Sequence, residues 1–167
     1  MQISAGGLDL LKRSEGFRSH TYLDAAGLPT IGYGHKLLHP ECFLNGISEA
    51  QAVEILTNDL RDAERAVKRL ARVAMTQGQF DALVDFCFNV GAGKLEASTL
   101  LKVLNAGQYA EAAEQLLRWD HVGLQELAGL KARREGEFQL WNSSVVQRVQ
   151  RSFAEVRDTN AGPSTPL

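Results

Sequence analysis

A helical pattern of apolar residues between Ser48 and Leu70 constrains the fold of this chain more than any other feature of its sequence. Apolar side chains recur there at helical spacing, and charged side chains occupy the positions between them. Ser48 and Gln51 have the spacing of a capping box, in which each side chain bonds the other residue's backbone at the start of a helix. The pattern therefore predicts one long amphipathic helix over about 48–70.

The segment from Thr76 to Gly91 has the same organisation and is more apolar. Thr76 and Gln79 form a second capping-box pair, and Gly91 stands where a glycine commonly ends a helix. The segment's apolar stripe is predicted to form the centre of a helical lobe and consists of Phe80, Leu83, Val84, Cys87 and Phe88. Further helices are predicted over about 8–15, 98–105, 108–119, 130–141 and 144–157.

Residues 14–34, SEGFRSHTYLDAAGLPTIGYG, are rich in Gly, Thr and Tyr and lack a helical repeat. The runs TYLD and TIGYG flank AAGLP, which is typical of a β-hairpin with a glycine in its turn. Residues 35–47 are predicted to form a loop, because proline and glycine interrupt them. Residues 161–167 are predicted to form a flexible tail.

These elements predict an α+β fold class that is mostly helical. The length of 167 residues favours a single domain, which is placed over 1–160. We expect two lobes, a small β-hairpin lobe over about 14–60 and a larger all-helical lobe over about 71–160. The helix at about 48–70 links them, and the N-terminal helix belongs to the larger lobe.

Charge and composition exclude several functional classes. The net charge of −2 lacks the basic excess of nucleic-acid binders. No apolar run approaches the ~20 residues of a membrane span, and no signal-peptide pattern opens the chain, so no stable membrane insertion is expected. Cys42 and Cys87 are too few for a disulfide framework and are predicted to be reduced. No metal site is predicted, because no zinc-site spacing is matched by His20, His35, His39 and Cys42.

Glu15, Asp24 and Thr30 form a candidate catalytic set. Glu15 falls in the last turn of the first predicted helix, where unpaired carbonyls disfavour a carboxylate charge and favour the protonated form that a general acid requires. Asp24 and Thr30 flank the predicted turn; if they pair directly, their β-carbons lie ~5 Å apart and the two side chains can hold a water. An acid opposite a held water is the arrangement of an inverting glycosidase, with carboxyl groups ~6.5–9.5 Å apart.

Spacing alone leaves structural alternatives open for these residues. A glutamate at a helix end is commonly an exposed surface charge. An aspartate beside a glycine turn commonly hydrogen-bonds the backbone of that turn.

The segment EGFRSHTYLDAAGLPTIGYGH resembles the active-site segment of the phage-type lysozymes, glycoside hydrolase family 24. The segments LTNDLRDAERAVKRL and MTQGQFDALVDFCFNVGAG resemble that family's connecting and central helices. STLLKVLNAGQYAEAAEQLLRW and GLKARREGE resemble its later helices, so the similarity extends over about residues 3–141. The resemblance implies a lysozyme-like two-lobed fold.

The resemblance also implies an activity. Glu15 would protonate the glycosidic oxygen, Asp24 would activate the attacking water and Thr30 would help to hold it. The reaction would be hydrolysis, with inversion, of the β-1,4 bond between N-acetylmuramic acid and N-acetylglucosamine in peptidoglycan. It would need no cofactor. An arginine of the terminal segment would pair with Glu15, and both Arg133 and Arg134 remain candidates.

Supporting residues are also expected. His35 is expected to make a structural hydrogen bond. Candidates for substrate contact are Gly32, Tyr33, Gly34, Asn89, Ser98 and Thr99. Structural alternatives are hairpin geometry for the two glycines, packing for Tyr33 and a helix-end role for Asn89. Gly136 interrupts a predicted helix, which costs about 1 kcal/mol relative to alanine.

The implied biological role is that of an endolysin for bacterial lysis. Its partners would be peptidoglycan glycan strands and, for release, a holin; the protein is expected to be a monomer. It would stay in the host cytoplasm until released and then act on the cell wall in the periplasm. The alternatives are a lytic transglycosylase and a non-catalytic glycan-binding or interaction module.

Overall fold

The structure is a computed structural model that describes residues 1–24, 26–39 and 41–143. Its helices are α1 (Ala5–Glu15), α2 (Glu49–Leu70), α3 (Gln77–Val90), α4 (Ala92–Ala97), α5 (Thr99–Asn105), α6 (Tyr109–Leu116) and α7 (128–143). Its strands are β1 (Arg18–Leu23), β2 (Pro29–Gly32), β3 (His35–Lys36), β4 (His121–Val122) and β5 (Gln125–Glu126). The antiparallel order β1-β2-β3 forms the small lobe, and β4 pairs with β5 separately. The predicted α+β, mostly helical, two-lobed fold is confirmed.

The two long helices begin at their predicted caps. The Ser48 hydroxyl accepts from the Gln51 N–H while the Gln51 side chain accepts from the Ser48 N–H, and Thr76 and Gln79 repeat this arrangement. Removing such a cap costs about 1 kcal/mol. α3 ends at Gly91, whose φ of 91° is a left-handed conformation that glycine adopts without strain.

The core surrounds α3. Phe80, Leu83, Val84 and Cys87 are buried as predicted, whereas Phe88 is only partly buried. α1, α2 and α4 pack against α3, and the sheet packs against α2. α2 therefore contacts both the sheet and the helices around α3.

The close approach of α1 and α7 explains Gly136. A β-carbon at this position would lie 2.5 Å from Leu10 Cδ1, which is closer than atoms can pack. The absent side chain therefore allows α7 to lie against α1, with Arg133 of α7 beside Glu15 at the end of α1.

The hairpin register corrects one prediction. Thr30 pairs with Tyr22, and the Asp24 N–H donates to the Leu28 carbonyl at 3.0 Å, so Asp24 and Thr30 do not face each other directly. The Asp24 carboxylate fixes this register, because it also accepts from backbone N–H groups within the turn. Asp24 and Thr30 are diagonal neighbours, a relation that separates residues by ~7–8 Å.

Several short elements were not predicted. β3 lies within the predicted loop and extends the sheet through Ile31 and His35. α4 has no side-chain cap, and β4 and β5 have two residues each, so their sequence signals are weak. The predicted helix at 144–157, the tail at 161–167 and the domain limit at 160 lie outside the described residues and stay predictions.

Candidate active site

Glu15 is the last residue of α1, and the left-handed Gly16 (φ 71°) turns the chain away directly after it. The Glu15 side chain is 23% exposed. Its Oε1 accepts from Arg133 Nη1 at 2.6 Å. A β-carbon built on Gly34 would lie 3.3 Å from Oε2, so the second oxygen lies beside the backbone of the small lobe. One oxygen is thus held by a cation, and the other lies between the lobes.

Arg133, rather than Arg134, pairs with Glu15. Its Nε and Nη2 donate to Asp85 Oδ1 at 3.1 and 2.5 Å, while Nη1 reaches Glu15. Burial opposes the charge of Arg133, but Asp85 and Glu15 outweigh burial and raise the pKa of Arg133. Arg134 donates instead to Asn89 and lies 3.2 Å from Glu137. The sequence did not decide which arginine pairs with Glu15; the hydrogen bond shows that it is Arg133.

A cleft of about 500 Å³ lies in front of Glu15. Gly34, His35, Lys36 and Leu38 line its small-lobe side, and Glu15, Asp59, Phe88 and Asn89 line its helical side. Charged, polar and aromatic groups therefore converge on one open space, which suits a polar polymer with apolar ring faces.

Asp24 lies outside that lining but is linked to it. Its Oδ1 accepts from the N–H groups of Ala26 and Leu28, both at 2.8 Å. Its Oδ2 lies 3.7 Å from the Nζ of Lys36, which lines the cleft. The hydrogen bond from the Leu28 N–H is the largest influence on the pKa of Asp24 and lowers it. The Ala26 N–H and Lys36 act in the same direction, and together these groups outweigh the opposing effect of burial. The Oδ1 atom of Asp24 therefore holds the turn by hydrogen bonds, whereas its Oδ2 atom accepts no hydrogen bond from the described residues.

Thr30 is 2% exposed, and its hydroxyl donates to the Leu28 carbonyl at 3.0 Å. Because its single hydrogen is used, the hydroxyl can only accept a hydrogen bond from a further group.

Residues 12–137 match the family described as phage lysozyme. The chain belongs to the phage lysozyme family.

Three relatives of this family member illustrate the similarity. The endolysin of Bacillus phage B103 is 41% identical over 159 residues, which cover 93% of this chain and 59% of the relative. The endolysin of Salmonella phage P22 is 40% identical over 126 residues, which cover 74% of this chain and 86% of the relative. A solved muramidase domain of SpmX from Asticaccaulis excentricus has a TM-score of 0.76 at 35% identity, covering 84% of this chain and 97% of that one.

The chain spans 59% and 62% of the lengths of the endolysins from Bacillus phages B103 and PZA. Among the described residues of this phage lysozyme family member, no helix combines the length and apolar character needed to cross a membrane.

His35 makes the structural hydrogen bonds expected of it. Its Nδ1 lies 2.8 Å from Asp59 Oδ2 on α2, and its Nε2 lies 3.2 Å from Glu41 Oε2. Burial lowers the pKa of His35, but the hydrogen bonds and charges of Asp59 and Glu41 outweigh burial and raise it. The ring thus joins the sheet to α2 at the edge of the cleft.

Two candidates for substrate contact in the small lobe, Gly32 and Tyr33, make close contacts within the protein. A β-carbon on Gly32 would lie 3.2 Å from Ala52 Cβ, so the absent side chain lets the strand lie close to α2. Tyr33 is buried, and its hydroxyl donates to Glu49 Oε1 at 2.8 Å. Gly34, by contrast, lines the cleft, and its contact with substrate stays a prediction.

Of the three candidates for substrate contact in the helical lobe, one lines the cleft and two do not. Asn89 lines the cleft and accepts a hydrogen bond from Arg134 on α7, and its contact with substrate stays a prediction. Ser98 is a correction: its hydroxyl is buried, donates to the Leu95 carbonyl and caps α5. Thr99 is exposed and lies outside the residues that line the cleft.

Asp85 and Glu137 are site residues that sequence reasoning missed. Asp85 interrupts the apolar run LVDFCF, and a charged residue on a buried helical stripe needs a charged or hydrogen-bonding partner. That signal could have identified Asp85. Glu137 gave no such signal, because its segment is rich in charges.

Proposed function

We propose that this chain is a muramidase of the endolysin type. It hydrolyses the β-1,4 bond between N-acetylmuramic acid and N-acetylglucosamine in peptidoglycan, with inversion at the anomeric carbon. The observation that carries the proposal is the position of Glu15, which meets a buried arginine with one oxygen and lines an interlobe cleft. The endolysins among the relatives support the same reaction class.

In the proposed reaction, protonated Glu15 donates its proton to the glycosidic oxygen as the bond to the anomeric carbon breaks. A water molecule attacks that carbon from the opposite face, and Asp24 accepts the proton that the water loses. One water is consumed, and exchange with solvent restores the proton on Glu15. No cofactor or metal takes part.

The surroundings of Asp24 support its role as the base. Its low pKa keeps it ionised at neutral pH, and Oδ2 is the oxygen left to accept a hydrogen from water. Thr30 is proposed to accept the second hydrogen of that water, since its own hydrogen is bonded to Leu28. Gly34 and Asn89 are proposed to contact the sugar chain from opposite walls of the cleft.

The wider role is also proposed. The protein acts as a monomer on peptidoglycan glycan strands, and it stays in the host cytoplasm until a holin gives it access to the periplasm. Expression in a bacterial host with and without a holin tests the delivery step, because lysis is expected only when both proteins are present. Lysis without the holin would overturn it.

Product analysis on purified peptidoglycan tests the reaction. Hydrolysis adds one water, about 18 Da, to each product pair, whereas a lytic transglycosylase adds none and leaves a 1,6-anhydro end. We expect hydrated products from the wild type and none from Glu15→Gln or Asp24→Asn. Anhydro products would favour the transglycosylase. Equal host lysis by the wild type and Glu15→Gln would favour a non-catalytic module.

A further inference from the structure

The turn between β2 and β3 is the part of the small lobe that faces Glu15. It consists of Tyr33 and Gly34, and Gly34 has a left-handed φ of 85°. A β-carbon on Gly34 would lie 3.3 Å from Glu15 Oε2, whereas Arg133 bonds the other oxygen, Oε1. The position of this turn therefore sets the space in front of the free oxygen of Glu15.

Tyr33 joins this turn to the chain on both sides of Glu15. Its side chain is buried, and its ring centre lies 5.7 Å from the Nζ of Lys12, one helical turn before Glu15 on α1. The ring of Phe17, two residues after Glu15, lies 5.6 Å from the Tyr33 ring. Cations and aromatic rings attract an aromatic ring at such distances, so Tyr33 holds the turn close to the end of α1.

Glu49, the first residue of α2, connects the same two parts of the molecule through one oxygen atom. Its Oε1 accepts from the Tyr33 hydroxyl at 2.8 Å and lies 2.9 Å from the Nζ of Lys12. The capping box of Ser48 and Gln51 fixes the backbone beside Glu49. One carboxylate oxygen therefore links the helix that carries Glu15 to the turn that faces it.

The exposure of this contact indicates that its main effect is not on stability. The side chains of Glu49 and Lys12 are 57% and 28% exposed. Ion pairs that are open to water contribute little to the free energy of unfolding. A displacement of about 1 Å near reacting groups, by contrast, can lower a rate about a hundredfold.

We propose that Glu49 is a positioning residue, which binds Tyr33 and Lys12 together and so holds the turn at the distance from Glu15 that turnover requires. Neither Glu49 nor Tyr33 is among the residues that line the cleft, so they act through Gly34 and Glu15. This inference rests on the proposed role of Glu15 as the acid.

Glu49→Ala tests the proposal in assays on soluble glycan strands prepared from peptidoglycan. We expect kcat to fall about tenfold while KM stays within about twofold, and the melting temperature to fall by no more than about 4 °C. Glu49→Gln keeps an acceptor oxygen for the Tyr33 hydroxyl and should restore most of the rate. An unchanged kcat in a folded Glu49→Ala variant, or a change in KM alone, would overturn the proposal.

Glu54→Ala is the matched control, because Glu54 is exposed on the same helix and has no ion-pair partner among the described residues. It removes the same charge and should keep the wild-type kcat. An equal loss of kcat in Glu54→Ala would show a general effect of charge on α2 and would also count against the proposal.

Tyr33→Phe tests whether the two residues act through their shared contact, because it removes the hydroxyl and keeps the ring. The single variant should lower kcat by a factor similar to that of Glu49→Ala. The double variant should lose no more than either single variant, since each change breaks the same contact. Losses that multiply would show independent roles and contradict the proposed link.

The NMR signal of the Gly34 backbone amide separates this inference from the proposed function, since it needs no turnover. The signal should move in Glu49→Ala and stay in place in Glu54→Ala. A wild type without turnover would overturn the proposed function, while a moved signal would still support the role of Glu49 in holding the turn. An unmoved signal in Glu49→Ala would overturn that role, whatever the turnover.

Discussion

Replacing Arg133 with methionine should destabilise the folded protein strongly at neutral pH. The change removes the donors of three hydrogen bonds to carboxylates, from Nε and Nη2 to Asp85 and from Nη1 to Glu15. Removing one partner of a buried ion pair costs about 3–5 kcal/mol, because the remaining charge stays desolvated. For a chain of this size, about 2–4 °C of melting temperature corresponds to each kcal/mol, so we expect a decrease of roughly 6–20 °C.

Thermal unfolding followed by circular dichroism measures this effect, with urea unfolding as a second estimate of the free energy. The deficit should shrink as the pH falls, because protonation removes the unmatched negative charges. The double variant Arg133→Met/Asp85→Asn should recover at least about 1 kcal/mol relative to the single variant, since one stranded carboxylate is gone.

Arg69→Met is the matched control, because Arg69 is exposed and has no ion-pair partner among the described residues. It should change the free energy of unfolding by no more than about 0.5 kcal/mol. The melting temperature of Arg133→Met could instead decrease no more than that of the control. This result would refute the argument that Arg133 stabilises the fold through its ion pairs with Asp85 and Glu15.

Three further predictions concern stability and pH. His35→Asn should lose more stability near pH 5.5 than near pH 9. The pKa of His35 is raised in the folded protein, so the stabilisation by its charge is complete below about pH 6.5 and disappears as the pH rises through the folded pKa. Equal losses of unfolding free energy in urea at both pH values would contradict this prediction. Gly136→Ala should destabilise by about 1–3 kcal/mol through overpacking against α1, whereas Gly129→Ala, with open space around it, should be neutral or stabilising. Lys36→Met should shift the acid limb of the pH–rate profile to higher pH, because it removes a cation that lowers the pKa of Asp24; an unmoved limb would exclude that influence.

The sequence predicts those parts of the fold that depend on local chemistry. α2 and α3 begin at their capping boxes, and Gly16 and Gly91 end their helices, because each of these signals acts within one helical turn. The hairpin was predicted from its glycine turn, but its register was not. The reason is that the Asp24 carboxylate organises the turn and places Asp24 opposite Leu28.

The site was predictable only in part, for a similar reason. Glu15 at a helix end and Asp24 in a turn carry local signals, whereas the choice of Arg133 over Arg134 depends on how α7 packs across α1 and α3. Ser98 was predicted to face the cleft, but its local role as a cap of α5 prevailed. Contacts between residues more than a hundred positions apart leave no trace in the spacing of either segment.

The central claim is that Glu15 donates a proton across the cleft to a glycosidic bond. The most direct measurement is the turnover of purified peptidoglycan by the wild type and by Glu15→Gln, with the anomer of the new reducing end followed by NMR. The account predicts the α-anomer as the first product of the wild type and loss of at least about a hundredfold in turnover for the variant. Undiminished turnover by Glu15→Gln, in a protein shown to be folded, would contradict it.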